Sequence, residues 1–189
     1  MNTLKLTDKF AEALVYATRL HAHQTRKISG VPYVTHLLSV TALVLEAGGT
    51  EEEAIAALLH DAIEDQGGSQ TREEIRQKFG DTVVAIIDGC TECDIYPKPP
   101  WQERKKRYLH NLRHASPSIR RVSLADKLHN ARSLLADSRQ YGNSIWNEFK
   151  AGKEGTLWFY QELLRVYREN GSDLMTEEFA RVIEELCQV

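Results

Sequence analysis

Apolar residues in this chain recur at helical spacing, and the runs are broken at glycine and proline. Thr7 and Asp8 open the first run, where Phe10, Leu14, Ala17 and Leu20 share a face and predict a helix to about Gln24. Gly30 and Pro32 mark residues 25–33 as a loop. A second helix is predicted over 33–47, stopped by Gly48-Gly49. Thr50 and Glu53 have the spacing of a capping box, each side chain satisfying a free backbone N–H, and a third helix runs from there to about Gln66. Gly67-Gly68 ends it. Thr71 with Glu74 repeats the box for a short helix that Gly80 ends, and Asp81 caps another through Val84 and Ile87. Three prolines make 91–100 a loop. Helices follow over 101–115 and 117–136, the latter capped by Ser116 with Pro117 in the first turn, where a missing N–H costs nothing. Residues 137–152 read as irregular with about one turn, and 153–169 and 176–187 as the last helices. No convincing strand, repeat or low-complexity tract is present. The expected fold is all-α and compact, one domain over 1–189 with a core at about 8–170 and a C-terminal helix at about 173–188.

Composition narrows the function class more than the fold. The chain has 189 residues, 42% hydrophobic and 27% charged, with a net charge of −3. That charge argues against broad binding to nucleic acid or an anionic membrane, while leaving room for a local basic pocket. No apolar run of about 18 residues offers a membrane span, and the first eight residues lack the apolar core of a signal peptide. Three cysteines do not make a disulfide framework, so a reducing cytoplasm is the expected compartment. Cys90 and Cys93 form a C-x-x-C, but zinc would need further ligands and a thioredoxin-like motif a preceding strand. An incidental pair at a helix end fits better. Oligomeric state is left open.

The chemistry concentrates in Ala56-Ala57-Leu58-Leu59-His60-Asp61-Ala62-Ile63-Glu64-Asp65, an apolar helix ending in one imidazole and three carboxylates. Helical spacing stacks His60 over Glu64 and Asp61 over Asp65. Adjacent residues diverge by about 100° around a helix, so His60 and Asp61 can share one ion only at a helix edge facing a cleft. His36, in the preceding helix, and Asp126, in the apolar segment Val122-Ser123-Leu124-Ala125-Asp126, can complete a metal site. Each has a plainer reading alone: a core histidine, an aspartate paired with Lys127, a solvated helix end. Together they make coincidence improbable. The mixed set suits manganese, iron or zinc. A metal of this kind activates water, with Glu64 as general acid or base and Asp65 holding or polarising the water. Two acids at a helix C-terminus oppose the helix dipole, so something positive should lie near. Arg26-Lys27 can place a cation pair for phosphate at the cleft, and Asn130 and Ser133 follow Asp126 by one and two turns. The basic face of the 101–115 helix, Arg104 to Arg113, reads as solvated.

These residues resemble the HD-domain metal-dependent phosphohydrolases, and most nearly the hydrolase domain of the RelA/SpoT group and its stand-alone small alarmone hydrolases. The resemblance rests on Gln24-Thr25-Arg26-Lys27, Gly30 to His36, Ala56 to Asp65, and Leu124-Ala125-Asp126-Lys127-Leu128-His129-Asn130, and covers roughly residues 8–170. It implies an all-helical fold holding one manganese ion on His36, His60, Asp61 and Asp126. The implied activity removes the 3′-pyrophosphate of guanosine tetra- and pentaphosphate, leaving GDP or GTP. Glu64 and Asp65 would activate the water, and Arg26, Lys27, Ser29 and Asn130 would contact the nucleotide. Ser133 stands where a threonine is usual, and Leu37 replaces the usual proline. One ring of Trp158-Phe159-Tyr160 would touch the base or pack in the core. At this length no nucleotidyl-transferase region is expected, so hydrolysis without alarmone synthesis is implied.

Other substrates fit the same class: an adenosine alarmone, NADPH or a simple nucleotide. The chain lacks the Gly-Tyr-Pro segment of a cyclic-dinucleotide phosphodiesterase. A non-catalytic regulatory module with this fold is a separate possibility, against which the retained ligand set and Glu64-Asp65 count.

Overall fold

Thr7 takes extended backbone and its hydroxyl accepts the Lys9 N–H, which starts α1 (Asp8–Leu20). The computed structural model describes residues 5–93 and 97–189; residues 1–4 of the N-terminal stretch and 94–96 of the expected 91–100 loop lie outside the described residues. α1 stops at Leu20 rather than near Gln24, because the chain is already turning. The Gln24 and Arg26 backbones pair with Tyr33 and Val31 in a small hairpin closed by one bridge, Thr25 to Pro32, with Gly30 at φ +69°. No strand forms among the described residues. The expected all-α fold is what the chain adopts.

α2 (Val34–Glu46) buries His36, Leu37, Val40, Thr41 and Val44 along one stripe. Leu37, fully buried, is a core residue. The Thr50–Glu53 capping box forms as expected at the start of α3 (Glu51–Leu59), and Arg121 donates to the same Glu53 carboxylate. Every α3 residue from Glu53 to Leu59 is buried, as befits the central helix of the domain.

Three further boundaries differ from expectation. The third helix does not run through to Gln66; it breaks at His60-Asp61, and a short α4 (Ala62–Asp65) follows. Thr71 is not a cap. Gly67 and Gly68, at φ +135° and +59°, turn the chain directly into α5 (Gly68–Phe79), and the Thr71 hydroxyl donates instead to the Gln66 carbonyl. The long helix over 117–136 extends a further turn.

After α6 (Asp81–Cys90) come α7 (Trp101–Arg113) and α8 (Pro117–Tyr141), capped by Ser116 as expected. A 3-10 helix (Gly142–Glu148) occupies the irregular stretch, and α9 (Gly152–Glu169) and α10 (Leu174–Gln188) close the chain. α3 packs on α1, α2, α6 and α8, and α8 packs on α2, α6, α9 and α10, so these two helices form the spine. α6 and α8 meet closely at Gly89, where a Cβ would lie 2.5 Å from the Ile119 side chain. Among the described residues no helix is long and apolar enough to cross a membrane.

Candidate active site

The break after Leu59 solves the divergence of adjacent helix residues. At His60-Asp61 the helix gives way to a turn, and His60 Nε2 comes to 3.0 Å from Asp61 Oδ2. α2 brings His36 to the same point, its Nε2 3.3 Å from His60 Nε2 and 3.6 Å from Asp61 Oδ2. α8 brings Asp126, whose Oδ1 lies 3.3 and 3.6 Å from the two imidazole Nε2 atoms. One ligand-type atom each from His36, His60 and Asp126 falls within 4.8 Å of the others, and all three residues are buried. Asp61 reaches both imidazoles but stands outside that tightest trio.

Partners around the group orient it. His60 Nδ1 lies 2.8 Å from the Ala57 carbonyl, which can only accept, so Nδ1 carries the proton and Nε2 is left for the cluster. His36 Nδ1 lies 2.7 Å from His129 Nδ1. Burial and the neighbouring His36 and Arg26 push His129 down to about 4, so it stays neutral and its Nδ1 can accept a hydrogen bond from His36 Nδ1–H, which turns His36 Nε2 toward the cluster. The Nε2 atoms of two imidazoles and two carboxylates therefore converge on one point. Electrostatics mark the same point as one that attracts positive charge, which without an ion is a proton on His60. Burial opposes an imidazolium at His60, yet Asp61 and Asp126 outweigh it and hold it well above the usual histidine value. Burial would also raise Asp61 and Asp126, but their cationic neighbours hold both well below the usual carboxylate range. The group calls for positive charge at its centre, and this donor set fits a divalent metal ion.

Glu64 and Asp65 sit on α4 beside this group rather than in it. Glu64 pairs with Lys98 at 2.7 Å and accepts the Glu92 backbone N–H at 3.3 Å, so Lys98 is a positive neighbour of the kind the two acids called for. Asp65 accepts from Gln24 Nε2 at 2.8 Å. The Gln24 carbonyl oxygen in turn faces Gln66 Nε2 and His21 Nδ1, each at 2.6 Å, which fixes the amide with its nitrogen toward Asp65.

A cavity of about 420 Å³ opens beside the group. Arg26, Lys27, Asn130 and Ser133 line it; Ser29 is exposed on the same loop and does not. Arg26 donates to Asn130 Oδ1 at 2.9 Å and lies over the Tyr33 ring, while Tyr33 donates to Asp61 at 2.5 Å. Lys27 pairs with Glu148 at 3.3 Å. Phe159 and Tyr160 line the cavity together with Trp101, and Trp158 does not.

Sequence reasoning missed several residues of this wall. Lys105 belongs to the basic helix read as solvated, yet it turns inward, 4.3 Å from the Phe159 ring centre and paired, like Arg104, with Glu92. Arg113 does lie outside, paired with the exposed Glu169. Lys127, 2.6 Å from Asp126, also lines the cavity, as does Asp137. The inward cation at Lys127 had a signal, a lysine inside an otherwise apolar helix. Lys105 had none, because its orientation is set by Trp101 and α9. Cys90, Cys93 and Cys187 form no disulfide among the described residues.

Comparison with known proteins agrees with this geometry. The guanosine-3′,5′-bis(diphosphate) 3′-pyrophosphohydrolase MESH1 of Xenopus tropicalis is 38% identical over 126 residues, 65% of this chain and 68% of that protein. Its Homo sapiens counterpart is 36% identical over the same shares. The solved structure of a metazoan ortholog of SpoT, described as hydrolysing ppGpp and acting in starvation responses, aligns with a TM-score of 0.80 over 97% of this chain and 98% of that one, at 26% identity. The family described as HD domain matches residues 13–157, a span that holds His36, His60-Asp61, Glu64-Asp65 and Asp126, and the chain belongs to that family.

Proposed function

We propose that this protein is a metal-dependent alarmone hydrolase that releases the 3′-pyrophosphate of guanosine tetra- or pentaphosphate as pyrophosphate, leaving GDP or GTP. The observation that carries the reading is the pairing of a buried histidine–aspartate group with a cation-lined cavity, in a chain similar to named 3′-pyrophosphohydrolases. His36, His60, Asp61 and Asp126 are the residues that would hold the ion, manganese by resemblance to the small alarmone hydrolases. When bound, such an ion supplies Lewis acidity to water and to the phosphate oxygens.

The chain's own residues do the rest. His129 and the Ala57 carbonyl hold both imidazoles with Nε2 inward. Glu64 takes the proton of the attacking water, with Lys98 offsetting its charge. Asp65, oriented by Gln24, positions the water. Arg26, Lys27, Lys105 and Lys127 offer positive charge to the phosphates, and Asn130 and Ser133 add neutral hydrogen bonds. Water oxygen bonds to phosphorus, the bond from phosphorus to the ribose 3′ oxygen breaks, that oxygen takes a proton from solvent, and Glu64 returns the water's proton to solvent. Three cysteines outside any disulfide suit a reducing cytoplasm.

The test is turnover of guanosine tetraphosphate with added manganese by wild type and Glu64→Gln. The variant should lose on the order of 10²- to 10⁴-fold in kcat, the range for a general base. Equal rates would remove Glu64 from the chemistry.

A further inference from the structure

Asp126, Asn130, Ser133 and Asp137 follow one another along α8 at offsets of four, seven and eleven residues, and so lie within about 60° of arc on one face. Asp126 belongs to the histidine–aspartate group. Asn130, Ser133 and Asp137 line the cavity, and Asp137 lies about 16 Å along the helix from Asp126. An acid here is unexpected in a cavity suited to a polyanion.

The cavity's cations all have partners. Arg26 donates to Asn130, Lys27 pairs with Glu148, Lys105 with Glu92 and Lys127 with Asp126. Asp137 has neither a hydrogen bond nor an ion pair among the described residues. The α8 arginines nearest to it in sequence are taken: Arg132 pairs with Glu178 and Arg139 with Glu185, both on α10. Asp137 is partly buried, and that burial pushes its carboxyl upward against the opposing pull of Arg26. A carboxylate on the cavity wall with no protein donor is answered by water until a ligand brings donors of its own.

A carboxylate repels phosphate, so the Asp137 end takes the part of the nucleotide that carries none. With the reacting 3′ group at the Asp126 end, that part is the base. Guanine presents two adjacent donors, N1–H and the exocyclic amino group, matched to the two oxygens of a carboxylate. Adenine presents one amino donor beside a ring nitrogen that accepts, which a carboxylate repels. Hypoxanthine keeps N1–H and lacks the amino group. Phe149, partly buried, supplies an apolar ring in the same cavity for the face of a purine.

We propose that Asp137 is the specificity-determining residue of this site, its carboxylate accepting both Watson–Crick-edge donors of guanine and thereby excluding adenine. The inference rests on the guanosine-hydrolase reading, which named no residue that selects the base.

Binding and turnover are measured separately, so that the two readings fail separately. Affinities for GDP, IDP and ADP are compared by calorimetry, with manganese present, for wild type, Asp137→Ala and Asp137→Asn. Wild type should bind GDP on the order of ten- to a hundredfold more tightly than ADP, with IDP between, as for a bidentate base contact. Asp137→Ala should bring the three within about threefold, since the alanine holds no acceptor. Asp137→Asn should move the preference toward ADP, because an amide offers an acceptor to the adenine amino group and a donor to its N1. Helical circular dichroism and hydrolysis of the adenosine 3′-pyrophosphate report that both variants fold. A wild-type GDP:ADP ratio retained by Asp137→Ala overturns the assignment, and so does a wild type that binds both equally. A GDP preference lost in Asp137→Ala, without hydrolysis of any 3′-pyrophosphate by wild type, supports the base assignment while sinking the hydrolase reading.

Discussion

The two ends of the cleft are built by opposite means. At the floor, His36, His60 and Asp126 come from three helices of the core, and each is buried among groups that leave it one orientation. At the rim, Arg26 and Lys27 come from a hairpin loop and Lys105 from the first turns of α7, held by a hydrogen bond to Asn130 and by ion pairs that range from exposed to mostly buried. The floor is preorganised by the hydrophobic core, so its geometry is fixed before any ligand arrives. The rim is held by contacts that a phosphate can exchange. A change at the floor should abolish chemistry, and a change at the rim should grade affinity.

Asp126→Asn tests the floor most severely. It removes a negative charge where two imidazoles and Asp61 leave no substitute, and several kcal/mol of charge stabilisation go with the metal. Turnover should fall by about a thousandfold or more, with stoichiometric metal lost in elemental analysis of the dialysed protein. A variant that keeps full metal content and turnover would erase the distinction between floor and rim. One step out, His129→Ala removes the acceptor that fixes His36 and should weaken metal affinity by about 10- to 100-fold in competition with a chelating dye. At the rim, Lys105→Ala should raise KM about tenfold while kcat stays within about twofold, the effect of one charge-assisted contact made equally in ground and transition states. A fall confined to kcat would move Lys105 into the chemistry. Farthest from the cleft, Thr50→Ala breaks the α3 capping box. It should cost about 1 kcal/mol in urea unfolding and leave turnover unchanged. Lost turnover would mean that the α3 start, and not only its His60 end, sets the floor.

The same contrast decides what was legible in the sequence. His36, His60 and Asp126 stand out because a polar donor in an apolar helical stripe has few reasons to be there, and the core then carries each stripe inward. The break at His60-Asp61 was not legible, since Ala56 to Asp65 reads as unbroken helix and only tertiary packing turns it. Thr71 was misread for a related reason: its spacing to Glu74 matches a capping box, but two left-handed glycines start α5 three residues earlier. Lys105 and Asp137 escaped altogether. A helix with charge on most positions gives no clue which lysine faces a cavity, and Asp137 lay past the expected end of its helix. That Phe159 and Tyr160, and not Trp158, line the cavity depends on how α9 is rotated against its neighbours, which three adjacent aromatics do not reveal.

The most direct test is to strip the protein of metal, restore manganese, and identify what guanosine tetraphosphate releases. The account predicts no turnover by the stripped protein. On adding manganese it predicts GDP and pyrophosphate in equal amounts. Turnover without metal, or release of orthophosphate in place of pyrophosphate, would contradict it.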